Sequence, residues 1–158
     1  MATEEAGEVL RNILTKMGFE AEVVAHEDDE RITLEIKGPE TALVIGKKGQ
    51  TLDSLQYLVN KIVSSKLPEG PDGRSGGKPI NVDAEGYRGR RAESLIELAH
   101  RLAEKAKRTG HPVEAEPMSP ADRRIIHVAL AEMEGITTQS EGEGIYRHLV
   151  VIPRSEAK

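Results

Sequence analysis

Residues 44–52 read Val44-Ile45-Gly46-Lys47-Lys48-Gly49-Gln50-Thr51-Leu52, and in this stretch two glycines three positions apart enclose two lysines. Apolar residues at helical spacing lie on both sides of it. Because glycine has no Cβ, the backbone can turn sharply here and approach a ligand closely. A helix that begins near Gly49 would present its first N–H groups beside the lysines, which suits an anion. The stretch therefore predicts an anion-binding loop between two helices.

The composition limits the class of protein. A chain of 158 residues has room for one domain or two small ones, and no apolar run approaches the ~18 residues of a membrane span. We therefore expect no membrane insertion. The acidic residues 1–8 lack the apolar core of a secretory signal, which favours a cytoplasmic protein. The absence of cysteine excludes disulfides, thiolate catalysis and cysteine-ligated metal centres.

The formal net charge of −5 is distributed unevenly along the chain. Residues 1–45 have a net charge of −7, residues 46–127 of +4, and residues 128–158 of −2. The positive segment contains the glycine loop, so a local basic surface can attract a polyanion although the whole chain is acidic. Charge alone decides neither for nor against a nucleic-acid ligand.

The apolar pattern of the first half predicts a regular series of elements. Helices, strands and loops are expected in the order helix, strand, strand, helix, glycine loop, helix, loop and strand, at about residues 9–17, 21–25, 32–36, 40–45, 46–49, 50–65, 67–79 and 78–83. This order resembles that of a bacterial, type II-like KH domain. The resemblance implies a KH domain over residues 1–83, whose loop clamps the sugar-phosphate backbone of single-stranded RNA.

The second half predicts another small α/β domain, over residues 84–158. A long basic helix is expected at residues 84–109, a strand at 111–116 and paired strands at 136–140 and 146–153. Ser119 and Pro120 suit the N-cap and first position of a helix that would extend to about Met133. Two small α/β domains in sequence are thus the predicted fold class.

The predicted helix after Ser119 contains the run Arg123-Arg124-Ile125-Ile126-His127, an arginine and a histidine separated by three residues. This spacing places both side chains on one face of a helix, at the border of its apolar stripe. The run resembles the motif of the R-three-H domain. A KH unit followed by an R-three-H unit resembles the bacterial Jag (SpoIIIJ-associated, KhpB) family over essentially the whole chain.

The family resemblance implies an RNA-binding protein that acts in post-transcriptional control linked to cell elongation and the envelope. It also implies a small KH-only protein, or a second copy of the chain, as a partner. Many members carry a further N-terminal domain, whereas this sequence begins almost at the KH unit, so functions of that domain are not carried over. The candidate RNA-binding residues are Gly46, Lys47, Lys48, Gly49, Gln50, Thr51, Arg123, Arg124 and His127.

Each motif also has an ordinary structural interpretation. The glycine loop could be a plain helix–loop–helix turn, and Arg123 and His127 could be a surface pair neutralised by Glu134. The basic helix could be a solvated face.

The chain has only four aromatic residues, Phe19, Tyr57, Tyr87 and Tyr146. So few rings are poorly suited to a platform for base stacking, which favours aliphatic, KH-type recognition. Leu43, Val44, Ile45 and Leu55 are expected mostly in the core, although the KH resemblance implies an aliphatic groove beside the loop that cradles bases.

The sequence offers little support for catalysis. Its histidines form no metal-ligand spacing, and no nucleophile elbow occurs. The glycine-rich run at 72–79 fails the phosphate-binding loop pattern, because Asp72 replaces its first glycine and Pro79 follows its lysine. We predict a non-catalytic protein that binds single-stranded RNA and needs no metal or cofactor. The alternatives are a protein-interaction scaffold on a KH fold and an RNA-processing enzyme.

Overall fold

The computed structural model describes residues 2–73 and 76–154 and divides into two compact units, Met1–Arg88 and Gly89–Lys158. We refer to them as unit 1 and unit 2. Each unit combines helices with one three-stranded sheet and has its own buried apolar cluster. The predicted α/β fold class is confirmed.

Unit 1 has the predicted order of elements. It contains α1 (Ala2–Lys16), β1 (Glu22–Glu27), β2 (Ile32–Lys37), α2 (Thr41–Ile45), a 3₁₀ turn (Lys47–Gly49), α3 (Gln50–Ser65) and β3 (Ile80–Ala84). The strand order is β1-β2-β3, with β2 antiparallel to β1 and parallel to β3. Two parallel neighbours need a long crossover, and here α2 and α3 provide it. The glycine loop lies within this crossover.

The core of unit 1 lies between its helices and one face of its sheet. Alternate residues of β2, Ile32, Leu34 and Ile36, are almost completely buried, as a strand with one covered face requires. Helix α3 buries Leu52, Leu55, Val59 and Val63 on the stripe that its sequence predicts. Because α3 packs through this stripe, the position of its N-terminus and of the loop before it is fixed by the core.

Two side chains of α3 also satisfy backbone groups of β3. The amide of Asn60 donates to the Ile80 carbonyl at 2.7 Å and accepts from the Ile80 N–H at 3.0 Å. Oε1 of Gln56 accepts from the Val82 N–H at 2.9 Å. An exposed strand edge can pair with other chains, and the side-chain amides of Asn60 and Gln56 occupy part of the edge of β3.

The predicted loop at 67–79 contains no helix or strand element in its described part. Arg74 and Ser75 lie outside the described residues.

Unit 2 has the predicted order of elements, and most of its elements are shorter than predicted. Its elements are α4 (Tyr87–Thr109, which starts at the end of unit 1), β4 (Val113–Glu114), α5 (Pro120–Leu130), β5 (Ile136–Glu141), a 3₁₀ turn (Gly144–Tyr146) and β6 (His148–Pro153). The sheet order is β4-β6-β5, and both pairs are antiparallel. Ile126 and Leu130 of α5 are buried. No helix of the described residues is both long and apolar enough to cross a membrane.

Three predicted boundaries in the second half were wrong. Helix α4 starts at Tyr87, not Ala84, because Glu85 and Gly86 adopt φ values of 50° and 69° and turn the chain after β3. Strand β4 has only two residues, in a segment between Pro112 and Pro117, which lack the N–H groups of a strand ladder. Helix α5 ends at Leu130 rather than Met133.

Candidate nucleic-acid interface

The loop between α2 and α3 is built on two glycines with positive φ angles. Gly46 (φ 72°) turns the chain out of α2, and Gly49 (φ 77°) leads into α3. The Gly49 N–H donates to the Gly46 carbonyl at 3.3 Å and closes the turn between them. Lys48 adopts φ 54°, which is uncommon for a residue with a side chain. The predicted glycine loop is therefore a defined turn.

Neither glycine of the loop can carry a side chain without a collision. A Cβ on Gly46 would overlap Oγ1 of Thr51, and a Cβ on Gly49 would lie 2.7 Å from Cε1 of Tyr87. Thr51 was selected from the sequence as a possible phosphate contact, and here it also packs on the loop. Tyr87 was missed, because it lies outside the motif and only the folded chain brings its ring to Gly49.

The electrostatic environment of the loop favours an anion. Lys47 is exposed and Lys48 is partly buried. No side chain of the described residues caps the N-terminus of α3, so its first N–H groups add partial positive charge. Asp53, the acidic residue of the first turn, accepts a hydrogen bond from Nη1 of Arg88 at 2.8 Å. This guanidinium offsets the carboxylate charge that would otherwise oppose an anion.

An exposed apolar side chain lies beside the basic loop. Leu43 of α2 is 64% exposed, whereas Val44 is buried and Ile45 is partly buried. The expectation that Leu43 lies mostly in the core was wrong, because the five-residue helix α2 has one face toward the core and Leu43 lies outside it. Leu43 therefore offers exposed aliphatic surface three residues before the glycine loop.

In unit 2, Arg123 and His127 both contact strand β5. The Arg123 guanidinium donates from Nη1 to Oγ of Ser140 at 3.0 Å and from Nε to the Met118 carbonyl at 3.2 Å. Nδ1 of His127 lies 2.5 Å from Oγ1 of Thr138. Thr138 and Ser140 are alternate residues of one strand, so they share a sheet face. The strand thereby fixes the orientation of both predicted site residues.

This arrangement differs from a surface pair neutralised by Glu134. Within the described part of the chain, neither Arg123 nor His127 is paired with Glu134, and both interact with uncharged groups. Arg123 is partly exposed, and His127 and Arg124 are exposed. The positive charge of Arg123 is therefore not cancelled by a carboxylate. Sequence reasoning missed Thr138 and Ser140, since they belong to a different element and carry no motif.

A partly buried ion pair holds the first turn of α5. Asp122 is 8% exposed, and its Oδ2 accepts from Nη2 of Arg91 at 3.0 Å and from Nε at 3.3 Å. The Asp122 N–H donates to Oγ of Ser119 at 3.2 Å, which confirms Ser119 as the N-cap. Because Asp122 directly precedes Arg123, the same contacts fix the backbone from which the Arg123 side chain extends.

Replacing Asp122 with alanine is expected to destabilise unit 2 by about 2 kcal/mol. The change leaves the largely buried guanidinium of Arg91 without its carboxylate, a loss reduced here by partial solvent exposure. Native-state hydrogen exchange at the Leu149 and Val151 amides should accelerate by about 30-fold. Glu132→Ala, at an exposed position, is the control and should change exchange little. Equal exchange in both variants would show that the pair is not stabilising.

One group of side chains in unit 2 could hold a metal ion. One ligand atom each of Glu114, Glu141 and His148 lies within 4.8 Å of the others. Glu141 pairs with His148 across β5 and β6, and Nε2 of His148 is 3.6 Å from Oε1 of Glu114. Both glutamates are exposed, and a protonated His148 forms an ion pair with Glu114 in the same geometry. The group therefore does not require a metal.

Two family models match the two units in order. Residues 5–68 match the model described as "KhpA/KhpB, KH domain", and residues 93–153 match the model of the R-three-H domain. The glycine loop lies in the first match, and Arg123 and His127 lie in the second. The fold and the two motifs thus define a protein with a KH domain followed by an R-three-H domain.

Similarity to relatives along nearly the whole of this chain agrees with this class. The chain is 37% identical over 155 residues to the RNA-binding protein KhpB of Clostridium symbiosum, covering 97% of this chain and 67% of that protein. It is 35% identical over 150 residues to the RNA-binding protein KhpB of Bacillus subtilis strain 168, covering 94% and 69%. The KhpB of Streptococcus pneumoniae serotype 2 strain D39 is 32% identical over 151 residues, covering 96% and 44%. The chain belongs to the KhpB family, which confirms the resemblance stated from its motifs.

Proposed function

We propose that this chain is a non-catalytic RNA-binding protein that holds single-stranded RNA at two places. The first is the glycine loop, where Lys47, Lys48 and the N–H groups at the start of α3 bind the phosphate backbone, with Gln50 and Thr51 beside them. The second is the α5 face with Arg123, Arg124 and His127. Relatives over nearly the whole chain are named RNA-binding proteins, which supports this proposal.

The loop geometry is the observation that carries the proposal. Two glycines that tolerate no side chain, an uncapped helix N-terminus among the described residues and two lysines converge on one turn. A plain connection between two helices needs none of the three together. The Arg123 guanidinium is positioned by Ser140 and Met118, and no carboxylate of the described residues compensates its charge, as a phosphate contact would require.

The biological setting follows from the family resemblance. We propose a cytoplasmic role in post-transcriptional control linked to cell elongation and the envelope, with a small KH-only protein or a second copy of the chain as partner. We also propose that residues 1–83 provide the KH function and residues 84–158 the R-three-H function. The partner is tested by purifying the chain from cells that contain such a KH-only protein and from cells that lack it, and identifying what copurifies.

The RNA-binding proposal is tested by the salt dependence of binding. We expect the chain to bind a labelled single-stranded RNA of about 12 nucleotides more tightly than a blunt duplex of equal length. With three or four phosphate contacts, log K should fall with log salt at a slope of about −2 to −3. The RNA should remain intact after incubation with Mg²⁺. RNA affinity that does not change with salt concentration would favour a protein-interaction scaffold. Cleavage of the RNA would favour an enzyme.

A further inference from the structure

The turn between β5 and β6 exposes two large apolar side chains. Ile145 is 83% and Tyr146 is 72% exposed, which are the highest values among the large hydrophobic residues in the described ranges 2–73 and 76–154. Both belong to the 3₁₀ turn Gly144–Tyr146. An isolated exposed apolar residue is ordinary, but two neighbouring ones at the tip of a hairpin form a surface on which another apolar group can rest.

The turn that carries Tyr146 is held by several hydrogen bonds. The guanidinium of Arg147 donates from Nη1 to the Gly142 carbonyl at 2.7 Å, and Nδ1 of His148 donates to the Tyr146 carbonyl at 3.1 Å. The Tyr146 N–H donates to the Glu143 carbonyl at 3.2 Å. Because the backbone of the turn is already ordered, the turn loses little conformational entropy when a ligand binds to the ring.

Hydrogen bonds through Met118 connect this turn to the Arg123 site. The Met118 N–H donates to the Arg147 carbonyl at 3.2 Å, and the Met118 carbonyl accepts from Nε of Arg123 at 3.2 Å. Arg123 also donates to Ser140, which lies near the end of β5 just before the turn. The guanidinium and the residue next to Tyr146 are therefore held by the same short segment of backbone.

The charges around the turn favour an uncharged ligand group at Tyr146. Glu141 and Glu143 precede the 3₁₀ turn and are exposed, so they repel a phosphate there. The Arg147 guanidinium is directed to the Gly142 carbonyl. Arg123 offers a phosphate positive charge that no carboxylate of the described residues neutralises, and Ile145 and Tyr146 offer the apolar surface. A nucleotide has both parts, an anionic phosphate and an uncharged aromatic base.

We infer that Tyr146, with Ile145 beside it, stacks on an unpaired base of the RNA whose phosphate is bound by Arg123. The inference rests on the proposed function and specifies how unit 2 recognises its ligand. Alternating phosphate and base contacts are how single strands are generally bound, and the tyrosine ring accepts any base because every base has a flat face. Stacking on the one aromatic residue of unit 2 also agrees with the low aromatic content of the chain, which cannot supply a platform of several rings.

The test compares three tyrosine variants for binding to a single-stranded RNA of about 12 nucleotides. Tyr146→Ala should weaken binding by about 5- to 100-fold with an unchanged salt slope, because stacking involves no counterion release. Tyr146→Phe should bind within about 2-fold of wild type, since stacking needs the ring and not the hydroxyl. Tyr57→Ala is the matched control, because Tyr57 is 62% exposed and its ring lies 5.8 Å from Nζ of Lys61.

A fluorescent substitution gives a direct readout at the same position. The chain has no tryptophan, so Tyr146→Trp introduces a single indole whose emission should be quenched when RNA binds. The inference is overturned if Tyr146→Ala binds RNA like wild type while Arg123→Gln is weakened, and the proposed function then stands. It is also overturned if Tyr146→Ala loses self-association of the chain but keeps its affinity for RNA. The same holds if Tyr146→Phe binds RNA as weakly as Tyr146→Ala does. If wild type binds no RNA, the inference and the proposed function both fail.

Discussion

Reversing the charge of both loop lysines, in Lys47→Asp/Lys48→Asp, is expected to weaken binding of single-stranded RNA by about 100-fold. Two charge-assisted phosphate contacts are lost, and two carboxylates then repel the backbone. The slope of log K against log salt should become shallower by about 1.4. Both glycines remain, and aspartate tolerates the left-handed φ of position 48 better than most residues, so unit 1 should fold.

The control for this variant is Lys16→Glu/Lys61→Glu. It makes the same change in net charge within unit 1, at two exposed positions outside the Gly46–Gly49 loop. If general attraction between basic surface and RNA is responsible, both double variants will weaken binding equally. If the loop is the phosphate clamp, the control should stay within about 3-fold of wild type, which is the effect of long-range charge alone. Circular dichroism of both variants checks the fold.

Removing both sites is expected to abolish binding to an RNA that is long enough to occupy them together. Two sites on one chain raise the effective concentration of the second contact, and such linkage adds about 10²- to 10⁴-fold in affinity. On an RNA of about 30 nucleotides, Arg123→Gln/His127→Gln alone should therefore cost at least about 10-fold. Combined with Lys47→Asp/Lys48→Asp, it should leave no measurable binding.

RNA length separates linked sites from independent ones. An RNA of about five nucleotides fills one site at a time. On this RNA, each double variant should lose binding at the site that it alters and keep binding at the other site. Arg154→Gln/His111→Gln replaces another exposed arginine and histidine of unit 2 and should have little effect on either RNA. If each double variant loses the same factor of affinity on both RNA lengths, the two sites are not linked. If the combined variant loses no more affinity than Lys47→Asp/Lys48→Asp alone, the α5 face is not an RNA-binding site.

The sequence predicts those parts of the structure that depend on local signals. The bounds of α3 follow from its apolar stripe and from the glycine before it, and the start of α5 follows from Ser119 and Pro120. The alternation of Ile32, Leu34 and Ile36 identifies β2 and its buried face. In each case the residues that decide the structure are neighbours in the chain, so a periodic pattern or a single cap contains the information.

Contacts between distant segments were not predictable in the same way. The ring of Tyr87 against Gly49, the Arg88 guanidinium on Asp53, and the hydroxyls of Thr138 and Ser140 all come from the packing of elements. The exposed position of Leu43 has a similar origin, because a five-residue helix is too short for its pattern to show which face is covered. These residues complete the two candidate sites, and only the folded chain identifies them.

Binding of the RNA backbone to the glycine loop of unit 1 can be observed directly. The isotope-labelled chain is titrated with short single-stranded RNA, and the chemical shifts of its backbone amides are measured. We expect the largest chemical-shift changes at Gly46 to Leu52, and a second group of changes around Arg123 and His127. If saturating RNA leaves the amides of Gly46 to Leu52 unchanged, the glycine loop is not the RNA-binding site.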